Sequence, residues 1–329
     1  MSTIGRLVSG ARLAALAVAA GCAAGPALAD PDYPSRAIQI VVPYAAGGVN
    51  DVLARLIARE LSEKFGKPVV VENRPGANGI VGADLVKRSA PDGYTLLQGA
   101  TGPNGANAAL YDRLPYDPLK DFEPVALVGT TPMVVYINDK VPAKTLSELV
   151  ALSKARPGSL SYGVGSSVHQ LAMELLKTRT GADLTYVSYR GGTPALTDVI
   201  AGQIQVGMDG IQTPLPAIRQ GRIRGIAVST ATRSAALPET PTMIESGVGN
   251  YDIAAWSALF APAKTPPAIL DKLHTVINEA LRKPEVREKL AELGVDAGKE
   301  SRAAFAARQV RDIADYKKAA ADAKLPKLD

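Results

Sequence analysis

The sequence predicts an α/β protein of two similar lobes, the second inserted into the first. Short β-branched runs alternate with amphipathic stretches, the pattern of parallel strands covered by helices. That pattern stops at an extended double run over 122–138, restarts, and closes with a second crossing near 254–262. Small polar loops bearing glycine follow several strands, at the carboxyl ends where open α/β sheets bind ligands.

Residues 1–29 stand apart. Arg6 and Arg12 flank an alanine-rich apolar run, and Ala27-Leu28-Ala29 precedes Asp30. This is a secretory signal with an A-x-A site, too short for a membrane span. Ala19-Ala20-Gly21-Cys22 offers a competing lipoprotein site, with Cys22 acylated; the A-x-A site is the cleaner match. Cleavage after Ala29 removes the only cysteine, so disulfide and thiol chemistry are not expected in the mature chain.

The mature chain opens with a strand at 38–42, stopped by Pro43, and a turn of small residues through Gly47 and Gly48. A helix follows, with Val52, Leu53, Leu56, Ile57 and Leu61 on one face and Asn50 or Asp51 as its cap. A strand at 68–72, breakers at 73–79 and a helix at 80–90 form the next unit. The strand at 94–98 leads into a polar loop over 99–104. Beyond the 122–138 crossing come helices near 145–155, 168–180, 195–201 and 215–220, between strands near 160–164, 184–189, 204–208 and 225–229. After 254–262, Thr265 as the cap and two prolines in the first turn begin a helix, followed by helices at 284–293 and 302–321. The result is a first lobe of 30–129 with 256–329 and a second lobe of 130–255, with a cleft between them as the expected site.

Composition narrows the function. Without Arg6 and Arg12, 35 basic residues face 32 acidic ones, a net charge of +3, scattered rather than clustered. With aromatics at 5%, this argues against nucleic acid. No later run approaches the roughly 18 apolar residues of a membrane helix. The two histidines, His169 and His274, lack the spacing of a zinc site. Gly165-Ser166-Ser167-Val168-His169 lacks the closing glycine of a nucleophile elbow. Ala45 to Asn50 fits neither the dinucleotide fingerprint nor the P-loop, so no cofactor is expected and an enzyme acting on a nucleotide or small acid is the lesser reading. Bare N–H groups at a helix start still make an anion site. Three loops, at Gly47-Gly48-Val49-Asn50, Gly165-Ser166-Ser167 and Gly191-Gly192-Thr193, open helices, and Thr101-Gly102 with Asn104 is a fourth glycine-bearing loop. Turns and caps use such residues everywhere. Their convergence on one cleft would suit a ligand with acidic groups at separated positions.

Six stretches in chain order, spread over nearly the whole mature sequence, resemble one family. They begin with Val42-Pro43-Tyr44-Ala45-Ala46-Gly47-Gly48-Val49-Asn50-Asp51 and Val71-Glu72-Asn73-Arg74-Pro75-Gly76-Ala77. Ala90-Pro91-Asp92-Gly93-Tyr94-Thr95-Leu96 and Leu114-Pro115-Tyr116-Asp117-Pro118 follow. The last two are Tyr189-Arg190-Gly191-Gly192-Thr193-Pro194-Ala195-Leu196-Thr197-Asp198 and Ala261-Pro262-Ala263-Lys264-Thr265-Pro266-Pro267. The family is the Bug receptors, the periplasmic solute-binding proteins of tripartite tricarboxylate transporters. The resemblance implies a Venus-flytrap periplasmic binding protein, type II-like, holding a small carboxylated metabolite between its lobes. Tyr44, Ala46, Gly47, Gly48, Asn50, Asp51, Thr101 and Gly102 would contribute from the first lobe. Ser166, Ser167, His169, Gly191, Thr193 and Asp209 would contribute from the second. Asp51 reads as a cap and dipole partner or as an acceptor for a ligand amine, Asp209 as a turn former or a selector of a polar or cationic substituent. The loop at 163–167 is shorter than the family's, leaving fewer donors. The expected partners are the carboxylate and either membrane permease components or a sensor protein, with the receptor itself a monomer in the periplasm.

Overall fold

The computed structural model describes residues 32–189 and 191–328. The expected signal at 1–29 and the alternative site at Cys22 lie outside the described residues. Strands β1 (Ile38–Val42), β2 (Val69–Asn73) and β3 (Thr95–Ala100) pair in parallel, with β1 in the middle. Helices α1 (Val49–Phe65) and α2 (Ile80–Lys87) make the crossovers. Beyond β3 the chain winds into a wide turn at Gly102–Ala106 and the short helix α3 (Asn107–Leu110), where a polar loop was expected. Pro103 near the start of this turn suits a position whose missing N–H costs no helical bond.

Strand β4 (Phe122–Asn138) takes up both apolar runs of the crossing in a single 17-residue strand. Its first part, to Pro132, pairs antiparallel with β9 (Ala254–Pro262), which itself pairs with β3. From Met133 onward β4 pairs with β7 (Val206–Gly210) and β8 (Ile223–Val228). The strands β5 (Ser161–Val164) and β6 (Thr185–Ser188) extend the second group in parallel. Its helices are α4 (Leu146–Ala155), α5 (Ser167–Thr180), α6 (Gly192–Ala201) and α7 (Leu215–Arg219). The chain ends with α8 (Pro267–Ala280), α9 (Pro284–Glu292), the two-residue strand β10 (Asp296–Ala297) on β4, and α10 (Arg302–Asp322).

The apolar runs are continuous because both faces of each strand group are covered. Ile38, Ile40 and Val42 pack with α1 and α8, while Val41 packs on the other face with Trp256, Phe260 and Phe305. In the second group Met133, Val135 and Ile137 face Leu171 and Leu175, and Val134 and Tyr136 face Val199 and Ile204. Ala106, Ala109 and Leu110 join the Leu171 core, as do Tyr316 and Ala319 of α10. The stretch after β3 and the last helix therefore brace the two lobes against each other.

Two expected caps are corrected. The N-cap of α1 is Gly48, with no side-chain hydrogen bond, so neither Asn50 nor Asp51 caps it; both lie inside the first turn. The N-cap of α8 is Pro266, and Thr265 instead turns its hydroxyl back to Pro262 O at 2.7 Å. Among the described residues no helix is long and apolar enough to cross a membrane, and no cluster of His, Cys, Asp and Glu could hold a metal ion.

Candidate functional site

The first-lobe mouth is built on the end of β1. Pro43 stops the strand, and Gly47 reverses the chain at φ 86°, a left-handed conformation that favours glycine. Ala46, Gly47 and Gly48 are exposed, and Tyr44 and Asn50 are half-buried. The first bond of α1 is Val52 N–H to Gly48 O at 3.0 Å. The N–H groups of Gly48, Val49, Asn50 and Asp51 therefore have no partner in the helix, nor elsewhere among the described residues. By contrast, α4, α5 and α10 are capped by the hydroxyls of Thr145, Ser166 and Ser301. The start of this 17-residue helix has no side-chain cap, and Gly48 at its head is exposed.

Asp51 lies beneath the mouth, 4% exposed. Its Oδ2 accepts from Gly47 N at 2.9 Å and Arg55 Nε at 3.1 Å, and its Oδ1 from Asn73 Nδ2 at 2.9 Å. The Arg55 bond, with those from Gly47 and Asn73, outweighs burial and holds its carboxyl down at about 2. Both oxygens are spent on the protein, so Asp51 shapes the loop. It also consumes the N–H of Gly47, one of the expected carboxylate donors. Asn73 further donates to Tyr44 O at 3.1 Å. The Tyr44 hydroxyl stands where a side chain on Gly102 would crowd it, which brings the first and third strand ends together. Burial raises the Tyr44 phenol well above its ordinary value and keeps it protonated. Thr101, 2% exposed, accepts from Trp256 N at 2.6 Å through Oγ1 and so fastens its turn to β9.

The second-lobe loops pack tightly on one another. A Cβ on Gly165 would overlap Gly192 N, so glycine lets these two backbones approach, and one on Gly192 would overlap the Asp209 carboxylate. Ser166 caps α5 by accepting from His169 N at 3.4 Å, with Ser167 half-buried behind it. Gly191 and the exposed Thr193 open α6, which has no side-chain cap. Asp209, 6% exposed, takes Gly210 N at 2.7 Å on Oδ1, and His169 Nδ1 lies 3.4 Å from the same oxygen. Burial pushes the His169 imidazole below its ordinary value, opposed by Asp209, and pushes the Asp209 carboxyl up, opposed by His169. Burial therefore disfavours charge on both members of the pair, and each partly offsets that for the other. Asp209 is thus packed against the start of α6, not set in an open turn. No hydrogen bond or ion pair among the described residues joins the Gly47 loop to the Gly165 or Gly191 loops.

The family model described as "Tripartite tricarboxylate transporter family receptor" matches residues 53–320. The chain belongs to this receptor family. It is 40% identical over 275 residues to "Protein BugT" of Bordetella pertussis, covering 82% of this chain and 84% of that protein. A solved structure named "R. palustris Rpa4515 with adipate" is 35% identical with a TM-score of 0.73, covering 90% of this chain and 100% of that one. "MatC (Rpa3494) from Rhodopseudomonas palustris with bound malate" is 33% identical with a TM-score of 0.68, covering 87% and 99%. The two-lobed fold of these binding proteins is the fold of this receptor.

Sequence reading passed over three residues of this receptor's first-lobe mouth. Asn73 and Arg55 fix Asp51, and Ser257 of β9 donates through Oγ to Asn50 Oδ1 at 2.6 Å. Ser257 carried a signal: it is the one hydroxyl in the otherwise apolar run 253–262, and a polar group in a strand covered on both faces needs a partner.

Proposed function

We propose that this receptor is a periplasmic solute-binding protein, not an enzyme. It captures a small carboxylated metabolite between a lobe of 30–129 with 256–329 and a lobe of 130–255, and as a monomer passes it to a tripartite tricarboxylate-type permease. The observation that carries the reading is the uncapped start of α1, where four backbone N–H groups gather beyond the carboxyl end of β1 at a side-chain-poor loop. Such donors suit a carboxylate, whose charge also meets the positive end of the helix. From the second lobe, Ser167, Gly191 and Thr193 would meet the far end of the ligand, near His169 and Asp209. Adipate and malate in the names of the two similar structures support the ligand class.

The test is a thermal-shift screen of mono-, di- and tricarboxylates and aromatic acids on the mature chain. A ligand that binds only the folded state raises Tm, by about 2.7 kcal/mol of stability at one hundred times Kd. At least one acid is expected to stabilise. A flat response across the whole set would sink the carboxylate reading.

A further inference from the structure

We infer that Ser257, on the strand joining the lobes, is a positioning residue: it fixes the Asn50 amide so that its NH2 faces the first-lobe mouth as a donor, and ties that mouth to the hinge. The inference rests on reading the start of α1 as the carboxylate site. Asn50 stands at the second position of α1, among the unpartnered N–H groups. Free to rotate, its amide could turn either a donor or an acceptor toward a ligand. The Ser257 hydroxyl, donating to Oδ1 at 2.6 Å, removes the acceptor. What remains is Nδ2, which has no partner among the described residues, and its two hydrogens add to the backbone donors beside it. An acceptor there would repel a carboxylate; a held donor reads one.

The same contact reaches the crossing between lobes. Ser257 lies opposite Gly129 of β4, and the β4–β9 register shifts between Leu127 and Gly129, a bulge at Val128. Bulges bend and twist a strand locally. Trp256, the preceding residue, bonds through its N–H to Thr101 at the foot of the Gly102 turn. Two successive residues of β9 at the bulge are therefore fastened to the two strand-end loops of the first lobe. A ligand that pulls on Asn50 pulls on the strand where the lobes join.

The experiment is a double-mutant cycle on the mature chain: wild type, Ser257→Ala, Asn50→Ala and the double variant, with Ser257→Thr as rescue. Malate and adipate are titrated by calorimetry, and the Asn50 side-chain amide pair is followed by NMR. Ser257→Ala is expected to weaken binding about tenfold, the loss of roughly one oriented hydrogen bond, at unchanged Tm, and Ser257→Thr to restore it. In the Asn50→Ala background Ser257→Ala should cost nothing further, because both act through one contact. Equal affinity of Ser257→Ala and wild type, or additive losses in the double variant, overturns the inference. Should neither acid bind wild type, those acids fail as ligands, while the NMR arm still decides the positioning role. A sharp Asn50 pair whose shifts change in Ser257→Ala supports it, and shifts identical in both proteins overturn it.

Discussion

Single atoms decide much of this site. Gly165 has no room for a methyl group beside Gly192 N, so Gly165→Ala should push the second-lobe loops apart and cost on the order of 1–3 kcal/mol of stability, as overpacking does. Urea denaturation reads this directly, and an unchanged midpoint would mean the loops yield freely. Asp51 sets an acid limit. Its folded pKa of about 2 lies below the ordinary 3.8, so the stability it contributes is complete above about pH 4 and is lost as pH falls toward 2. The stability gap between wild type and Asp51→Asn should accordingly be wide at pH 5 and shrink by pH 2.5; a gap of constant size refutes the assignment. Asp312 behaves oppositely. It is 3% exposed under the Trp256 indole, whose Nε1 donates to it at 3.2 Å. Burial lifts its carboxyl to about 6 against the pull of Arg308. Because the folded pKa is the higher one, this group costs stability above about pH 6, and the cost fades as pH falls toward 4. Trp256 is the only tryptophan in the chain, so its emission should titrate with a midpoint near 6, and Asp312→Asn should flatten the curve.

At the scale of elements, the open start of α1 exchanges helix stability for binding capacity. Gly48 has an extended backbone, φ −77° and ψ 167°, and a Cβ there would meet Ala45 O at an ordinary 3.7 Å. Gly48→Asp should therefore fold without strain, cap the helix, and add a few tenths of a kcal/mol. It should also erase the thermal shift by every carboxylate, since its own carboxyl takes the donors. A Gly48→Asp protein that still responds to acids would place the ligand elsewhere. Strands and helices were legible in the sequence because burial on two faces gives unbroken β-branched runs and burial on one face gives helical spacing. Thus 38–42 and the helix after Val52 read correctly, as did the double run that became β4. Caps were less legible: Asn50 and Asp51 have the right chemistry, but the tight reversal at Gly47 starts the helix earlier and moves both inside. The mouth's supports were least legible, because Asn73 and Ser257 meet Asp51 and Asn50 only through pairings 22 and 207 residues apart. The two-residue β10 has no pattern to read and exists only because β4 offers it an edge at Gly129 and Thr130.

For the whole molecule, binding between lobes should draw them together, as hinge closure does in proteins of this architecture. Small-angle scattering should show a smaller radius of gyration with whichever acid raises Tm, and no compaction would mean the ligand rests on one lobe alone. The joint between the lobes has a further consequence. β4 is one uninterrupted strand whose residues belong to the cores of both lobes, and α10 and the segment after β3 pack across them as well. The two strand groups thus share β4, and neither can lose its part of that strand without disturbing the other. Melting should therefore be a single cooperative event, with calorimetric and van't Hoff enthalpies in agreement. The receptor would then move as two bodies and unfold as one.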